Sequence, residues 1–482
     1  MTSKSDTFTT ERSIELFSAI YVSVGVIVGS GIFVSPNGVF AAANYSVGVT
    51  LIIWVFGGLI AMLSTLCYCE LATSIPESGS DYTYLTYAYH PALAFLIPWM
   101  NTLLPTADSI LMLTFARYAV EPFFECTTPP VQSVKLIAIC LLLFITAINV
   151  LSVKSAVRMQ IAFAWCKLAA ISFIVVSAVI FCMKDSSVAS ENFRNAFEGK
   201  SLKGISFLTL SKAFYTVTWS YQGWNSLCHV TEEIKEPGKT IPKASLLTIA
   251  AVVVIYLAIN TAYFSVLSVD EMASSKIVAL PFALKAMGGA SWIVPLTVCL
   301  CTAGSYNGGV LTYGRLSYVA ARRGHLPQVF RMLHVHKRIP IPALILNNIG
   351  SIVLICIGDF EILIQIFGFV NWIFTGLSSL SVLILRKRLP KLTRPYKVPT
   401  VVPIIMSAVS FFFVILPLLN NPHFLYLYAL MYFALGLTFY YIFVHCGCVL
   451  PGVVRTTIFI QTLLKVAPVQ WKPEGVQKMK KL

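Results

Sequence analysis

Charged residues are scarce in this 482-residue chain: Asp, Glu, Lys and Arg make up 11% of it, against 57% hydrophobic residues. That balance leaves no room for a soluble domain, a long linker or a low-complexity tract. Histidine is rarer still, with 7 residues, and the 12 cysteines are scattered without metal-ligand spacing. No nucleophile sits beside a plausible base, so an enzyme is not expected, nor a metal or any other cofactor. A cleavable signal peptide is also missing: the first 13 residues are polar, and the apolar run that follows is too long for an h-region.

What remains is apolar length. A mean hydropathy of +0.79 and repeated runs of about 20 apolar residues describe an all-α membrane protein with lipid as its surroundings. The runs give twelve candidate spans, near 14–43, 47–74, 91–122, 133–150, 157–183, 205–231, 242–267, 291–321, 342–357, 360–385, 400–420 and 424–446. The net charge of +15 is not a nucleic-acid signal, because the basic residues alternate between loops and report topology. Most of them, including Lys235, Arg322, Arg323, Lys337, Arg386 and Lys387, fall on one side when both termini are placed in the cytosol.

Two spans are interrupted at mid-membrane depth by short glycine-bearing runs, Gly29-Ser30-Gly31-Ile32-Phe33 and Trp219-Ser220-Tyr221-Gln222-Gly223-Trp224. Lipid cannot satisfy unwound backbone, so such breaks are tolerable only where they line a cavity. Paired breaks in corresponding positions point to the substrate site of a secondary transporter. The bland reading is close helix packing at glycine, which suffices for Gly57-Gly58 or Gly308-Gly309. Polar and aromatic neighbours set the two breaks apart. The simplest partition has a cytosolic tail at 1–13, inverted repeats at 14–204 and 205–399, two added spans within 400–446 and a cytosolic tail at 447–482.

The chemistry of the breaks suits a zwitterion. Amides freed near Ser30 favour a carboxylate, and carbonyls freed around Trp219 to Gln222 favour an ammonium. A free L-amino acid carries both groups. Lys167 lies within an apolar span, where an ammonium is costly and pairs inward. Asp108, an acid within the third span, is either a substrate contact or a hydrogen-bonding partner inside the bundle.

The run Val28-Gly29-Ser30-Gly31-Ile32-Phe33-Val34-Ser35-Pro36 resembles the first broken helix of the light subunits of heteromeric amino-acid transporters. These belong to the amino acid–polyamine–organocation superfamily and have a fold like the bacterial leucine transporter. The likeness continues through Cys69-Glu70-Leu71, Ser78-Gly79-Ser80-Asp81-Tyr82, Val120-Glu121-Pro122-Phe123-Phe124, Gly223-Trp224-Asn225, Arg323-Gly324-His325-Leu326-Pro327 and Arg394-Pro395-Tyr396-Lys397-Val398. It covers about residues 12 to 470. The resemblance implies twelve spans in a 5+5 inverted repeat with discontinuous first and sixth helices.

It also implies roles. The substrate carboxylate would meet the amides of Ser30 and Gly31, and its amine the carbonyls of Ile27, Trp219 and Gln222. Trp219 would be the gate, and the distal pocket would draw on Ser305, Asn307 and Asn371. Lys167, in Ala164-Trp165-Cys166-Lys167-Leu168, would replace the cation of sodium-driven relatives, making transport sodium-independent exchange. Cys126, in the polar loop between the third and fourth spans, would form a disulfide with a single-span glycoprotein heavy subunit at the plasma membrane.

Departures from the resemblance bear on substrate. Cystine/dibasic light subunits carry an Asp in the sixth break, where this chain has Gln222. The cystine/glutamate exchanger has an Arg in the tenth span, where this chain has Asn371. Both specific charges are missing, so neutral amino acids, aromatic ones among them, are expected, with a dibasic/cystine exchanger or a non-transporting receptor as alternatives. Glu70 is expected to be structural, and Arg322, Arg323, Arg386, Lys387 and Arg388 to be membrane-face anchors. Asn44-Tyr45-Ser46 fits a glycosylation pattern but lies too near a span end to be modified.

Overall fold

A computed structural model describes residues 12, 14–124, 129–198, 207–275, 278–312, 315–335, 337, 339–358, 360–420, 424–448 and 453–468. Helices account for nearly all of its regular structure. The first span divides into α1 (Leu16–Ile27) and α2 (Gly31–Ala42), bent by 50° at their junction. A tight turn with Asn44 and Tyr45 at positive φ then leads into α3 (Val47–Ser74). Ser46 opens α3 by accepting a hydrogen bond from the Val49 amide, and its hydroxyl donates to the Ala196 carbonyl at 2.9 Å.

The short α4 (Asp81–Ala88) precedes a third span split into α5 (Pro91–Leu103) and α6 (Thr106–Val120). The sequence reads as one run there. Pro105 has no amide to donate and restricts Leu104 before it, so the helix stops and restarts. Next come α7 (Val131–Leu151), α8 (Val153–Lys184), the short α9 (Ser187–Arg194) and α10 (Phe207–Ser220). After α10 the sixth span does not resume as an α-helix. It continues as two 3₁₀ turns, Ser226–His229 and Thr231–Glu233.

The rest of the helical chain comprises α11 (Pro237–Val266), α12 (Val269–Ser274), α13 (Ala279–Met287), α14 (Ile293–Thr312), α15 (Leu316–Arg322), α16 (Ile341–Ile357), α17 (Phe360–Arg388), α18 (Val401–Asn420), α19 (Phe424–Phe439) with a π turn at Tyr440–His445, and α20 (Val453–Leu464). Two three-residue strands, β1 (Met332–His334) and β2 (Val466–Pro468), pair antiparallel and tie the chain beyond α20 to the loop before α16. Among the described residues, eight helices are each long and apolar enough to cross a bilayer, and the bent α1–α2 pair makes a ninth. Large apolar side chains such as Phe56, Ile180, Val254, Ile404 and Leu430 stay exposed around the bundle, as a lipid-facing surface requires.

Inside, α3 packs along α11, α14 along α6 and α8, and α17 along α18. Glycine permits the closest approaches: a Cβ on Gly57 would stand 2.1 Å from Val217 Cγ1, on α10.

One end of the bundle is laced by ion pairs. Arg386 forks onto Glu70, Arg323 meets Glu77, Arg322 meets Glu232 at 3.0 Å and Arg315 meets Glu233 at 3.0 Å. Arg322, Arg323 and Arg386 are therefore internal partners, not the surface anchors that their cluster in sequence suggests. The difference lies in acids contributed by distant segments. Glu70 is buried and takes a further hydrogen bond from the Val398 amide at 2.7 Å, in keeping with its expected structural role. Removing one member of a buried pair strands the other charge. Glu70→Ala should therefore lower the stability of the detergent-solubilised protein by about 3 kcal/mol or more. The check is its thermal midpoint, and an unchanged midpoint would contradict the assignment.

Candidate functional site

The first break spans Val28 to Ser30. Helix α1 ends with carbonyls that have no following turn to serve, and such a C-terminus attracts a cation. Lys167, on α8 and only 1% exposed, reaches it from the side. Its Nζ donates to the carbonyls of Gly25 and Val28, both at 2.7 Å, and to Ser305 Oγ at 3.0 Å. The Lys167 side chain thus gathers the freed carbonyls of the first break and the Ser305 hydroxyl around one buried donor.

On the other side of the break, the Ser30 amide donates to no backbone carbonyl among the described residues. Gly31 opens α2, where the first N–H groups lack intrahelical acceptors.

The second break begins where α10 ends at Ser220. Gly223, at φ +108°, turns the chain in a region other residues avoid. The Gln222 amide donates to the Trp219 carbonyl at 3.1 Å. The Tyr256 hydroxyl, from α11, lies 2.7 Å from the Ser220 carbonyl and 3.1 Å from that of Ile27. Its single proton is shared between the breaks. The breaks also touch directly, since a Cβ on Gly31 would stand 2.4 Å from Ser220 Cα. Close packing and binding geometry are therefore joint demands on this glycine.

Between the breaks lies a cavity of about 190 Å³, equivalent to roughly six waters of liquid volume. Ile27, Ser30, Gly31, Trp219, Gln222, Ser305 and Asn371 all line it. Trp219 meets Phe367 edge-on, with ring centroids 4.9 Å apart. Met100, Thr102, His229 and Ser317 line the cavity as well.

The structure rearranges some of the expected residues. Ser305 belongs to the Lys167 cluster, because α14 presses its hydroxyl against Gly29. Asn307 is buried away from the cavity, donating to the Ala156 carbonyl and to Gln160 Oε1 while accepting from Asn149. Asp108 does line the cavity, and its Oδ2 accepts from Asn347 Nδ2 at 2.7 Å, the hydrogen bond inside the bundle that one of its two readings expects. Cys126 lies outside the described residues.

Tyr256, Phe367, Asn347 and Asp81 escape a reading along the chain. Each lies in an ordinary apolar or loop context, and only the break in the third span carries a local signal, Pro105. No cluster of three or more His, Cys, Asp or Glu with the geometry to hold a metal is present among the described residues.

Comparison with known proteins places the chain in a family. Residues 14–444 match the family model described as amino acid permease. The chain is 38% identical over 468 residues to the b(0,+)-type amino acid transporter 1 of Homo sapiens, covering 96% of this chain and 95% of that protein. It is 37% identical over 414 residues to the human cystine/glutamate transporter, covering 86% and 81%. It is likewise 37% identical over 414 residues to the mouse large neutral amino acids transporter small subunit 2, covering 86% and 77%.

The contact between the breaks makes a sharp prediction. Gly31→Ala should lower the thermal stability of the solubilised protein by about 1–3 kcal/mol, because the obstructing atom is backbone. Gly289→Ala, where an added Cβ meets nothing within 4 Å, should not. Equal midpoints for the two variants would dismiss the close approach.

Proposed function

The chain belongs to the amino acid permease family, and we propose that it is the light, transporting subunit of a heteromeric amino-acid exchanger. The observation that carries this reading is the pair of opposed helix breaks around one cavity. Substrate is moved and not chemically changed.

In this reading the α-carboxylate docks on the amides of Ser30 and Gly31 at the positive end of α2. The α-ammonium docks on carbonyls of the breaks, those of Ile27, Trp219 and Gln222. Each carbonyl has two lone pairs, so the bonds already made by Tyr256 and the Gln222 amide leave acceptor capacity. Lys167, donating to the freed carbonyls of the first break, takes the place of a driving cation, and transport therefore needs no sodium. A carrier without a driving ion returns loaded, which makes exchange the natural cycle.

Neutral side chains fit the walls formed by Trp219, Phe367, Gln222 and Asn371. Trp219 and Phe367 offer aromatic faces and edges for large or aromatic substrates, and Gln222 and Asn371 bring no charge.

With both termini in the cytosol, the ion-paired end is cytosolic and the cavity faces inward beneath Trp219 and Phe367. Alternating access then tilts α1 and the segment after α10 together. They are coupled by the Ile14 amide donating to the Glu233 carbonyl at 3.0 Å and the Lys235 amide to the Ile14 carbonyl at 2.9 Å. The segments 14–204 and 205–399 act as inverted repeats, with 400–446 peripheral. Cys126 links the chain to a single-span glycoprotein heavy subunit at the plasma membrane.

Reconstituted vesicles test the cycle. Labelled leucine should enter without a sodium gradient and faster when the lumen holds unlabelled amino acid. Strict sodium dependence, or no such stimulation, would reject exchange. Ser30→Trp should abolish uptake at undiminished surface abundance, and retained uptake would refute the carboxylate site. On non-reducing gels, Cys126→Ser should eliminate a heavier covalent species.

A further inference from the structure

At the ion-paired end of the bundle, Glu70, Glu77, Glu232 and Glu233 neutralise Arg386, Arg323, Arg322 and Arg315. One sector of that end is built from segments with no acid at all. Residues 131–184, 325–357 and 446–468 contain neither Asp nor Glu. Lys154, Arg158, Lys337, Arg455 and Lys465 are exposed in this sector. None of the five forms an ion pair among the described residues.

Tertiary contacts gather them around α20. The Lys337 ammonium donates to the Val150 carbonyl at 3.3 Å, four residues before Lys154. The Val335 amide donates to the Lys465 carbonyl at 3.1 Å, and β2 just beyond it pairs with β1. Leu464 packs among Val150, Ile339, Ile341 and Leu344. The helix is therefore seated on the bundle, with one face fixed outward.

That outward face is apolar. Ile460 and Leu464 turn inward, whereas Ile458 is 57% exposed and Phe459 and Leu463 are each 65% exposed. At 3.6 residues per turn, Arg455, Ile458, Phe459, Thr462 and Leu463 share one side of α20. Large apolar side chains beside unpaired positive charge make the kind of surface that lies in a membrane interface.

Position favours lipid over a soluble partner. Val453 follows Cys448, just past the last span, by five residues, so at most about 18 Å of extended chain separates them. At the other end, Leu464 meets Ile341 and Leu344 in the first turn of α16, where Ile345 is already exposed. Both ends of α20 are thus tied to levels where spans enter the apolar layer. Beyond Pro468 the sequence adds Lys472, Lys478, Lys480 and Lys481 against a single acid, Glu474.

We propose that α20 lies in the headgroup layer beside the bundle. Ile458, Phe459 and Leu463 enter among acyl chains, and the surrounding basic residues meet the phosphates of anionic phospholipids. The choice of leaflet rests on the cytosolic side proposed above for this end, since the cytosolic leaflet carries the anionic lipids.

The test places the full-length protein in phosphatidylcholine nanodiscs doped with a diazirine-bearing phosphatidylserine or, in parallel, with the matching phosphatidylcholine. After irradiation, peptide mass reads the lipid attached to residues 453–464, with α18 as the reference for lipid contact. The phosphatidylserine probe should label α20 at least about fivefold more than the phosphatidylcholine probe, the effect of one basic residue at an anionic surface. High salt should shrink that excess in the wild type. Arg455→Gln together with Lys465→Gln should remove most of it. Ile458→Ser with Phe459→Ser and Leu463→Ser should suppress labelling by both probes while α18 stays labelled.

An unlabelled α20 beside a labelled α18, or equal labelling by the two probes at low salt, overturns the proposal. So does a cross-link from α20 to a second copy, which would assign the face to protein. None of these readings uses transport, so the exchanger reading can fail without altering them.

Discussion

Backbone unwound inside a bilayer must find its hydrogen bonds within the protein, and the architecture around the cavity answers that demand. The Gly25 and Val28 carbonyls are met by Lys167, and those of Ile27 and Ser220 share the hydroxyl of Tyr256. These donors come from α8 and α11, two long helices. What the scaffold leaves unmet, above all the Ser30 amide at the start of α2, faces the cavity.

The same donors set the mechanics. Gly31 against Ser220 and Ile14 against Glu233 join the first and sixth spans at two depths, so neither break can shift alone. Lys167 and Ser305 hold the first break to α8 and α14 through hydrogen bonds that can exchange, not through covalent or fully interlocked packing. The pairs Glu232–Arg322 and Glu233–Arg315 cross from the end of the sixth span to the region around α15. A carrier needs this combination: two elements rigid with respect to each other and reversibly attached to the rest.

Much of this was legible along the chain. The two glycine runs located both breaks, Lys167 was conspicuous as an ammonium in an apolar run, and the span at 47–74 coincides with α3. The interruption at Pro105 was also written in the residues, though hydropathy smooths over it. Less accessible were groups whose importance is purely a matter of neighbours. Tyr256 sits in an unremarkable apolar helix, and its role exists only because Ile27 and Ser220 end there. Arg322 and Arg386 look like surface anchors until Glu232 and Glu70 are brought beside them. Ser305 and Asn307 are two residues apart on one helix, yet one meets the first break and the other turns into the network of Asn149 and Gln160.

Apolar run length, the glycines that release a helix and the ionisable residues stranded within it are properties of consecutive residues. From these the membrane class and the place of the breaks follow directly. Which carbonyl each donor serves, whether Asp108 faces a cavity or a neighbour, and where that cavity closes depend on the rotation and contact of helices far apart in the chain. Those relations are set by packing between side chains that have no local signature, so they emerged only once the bundle was assembled.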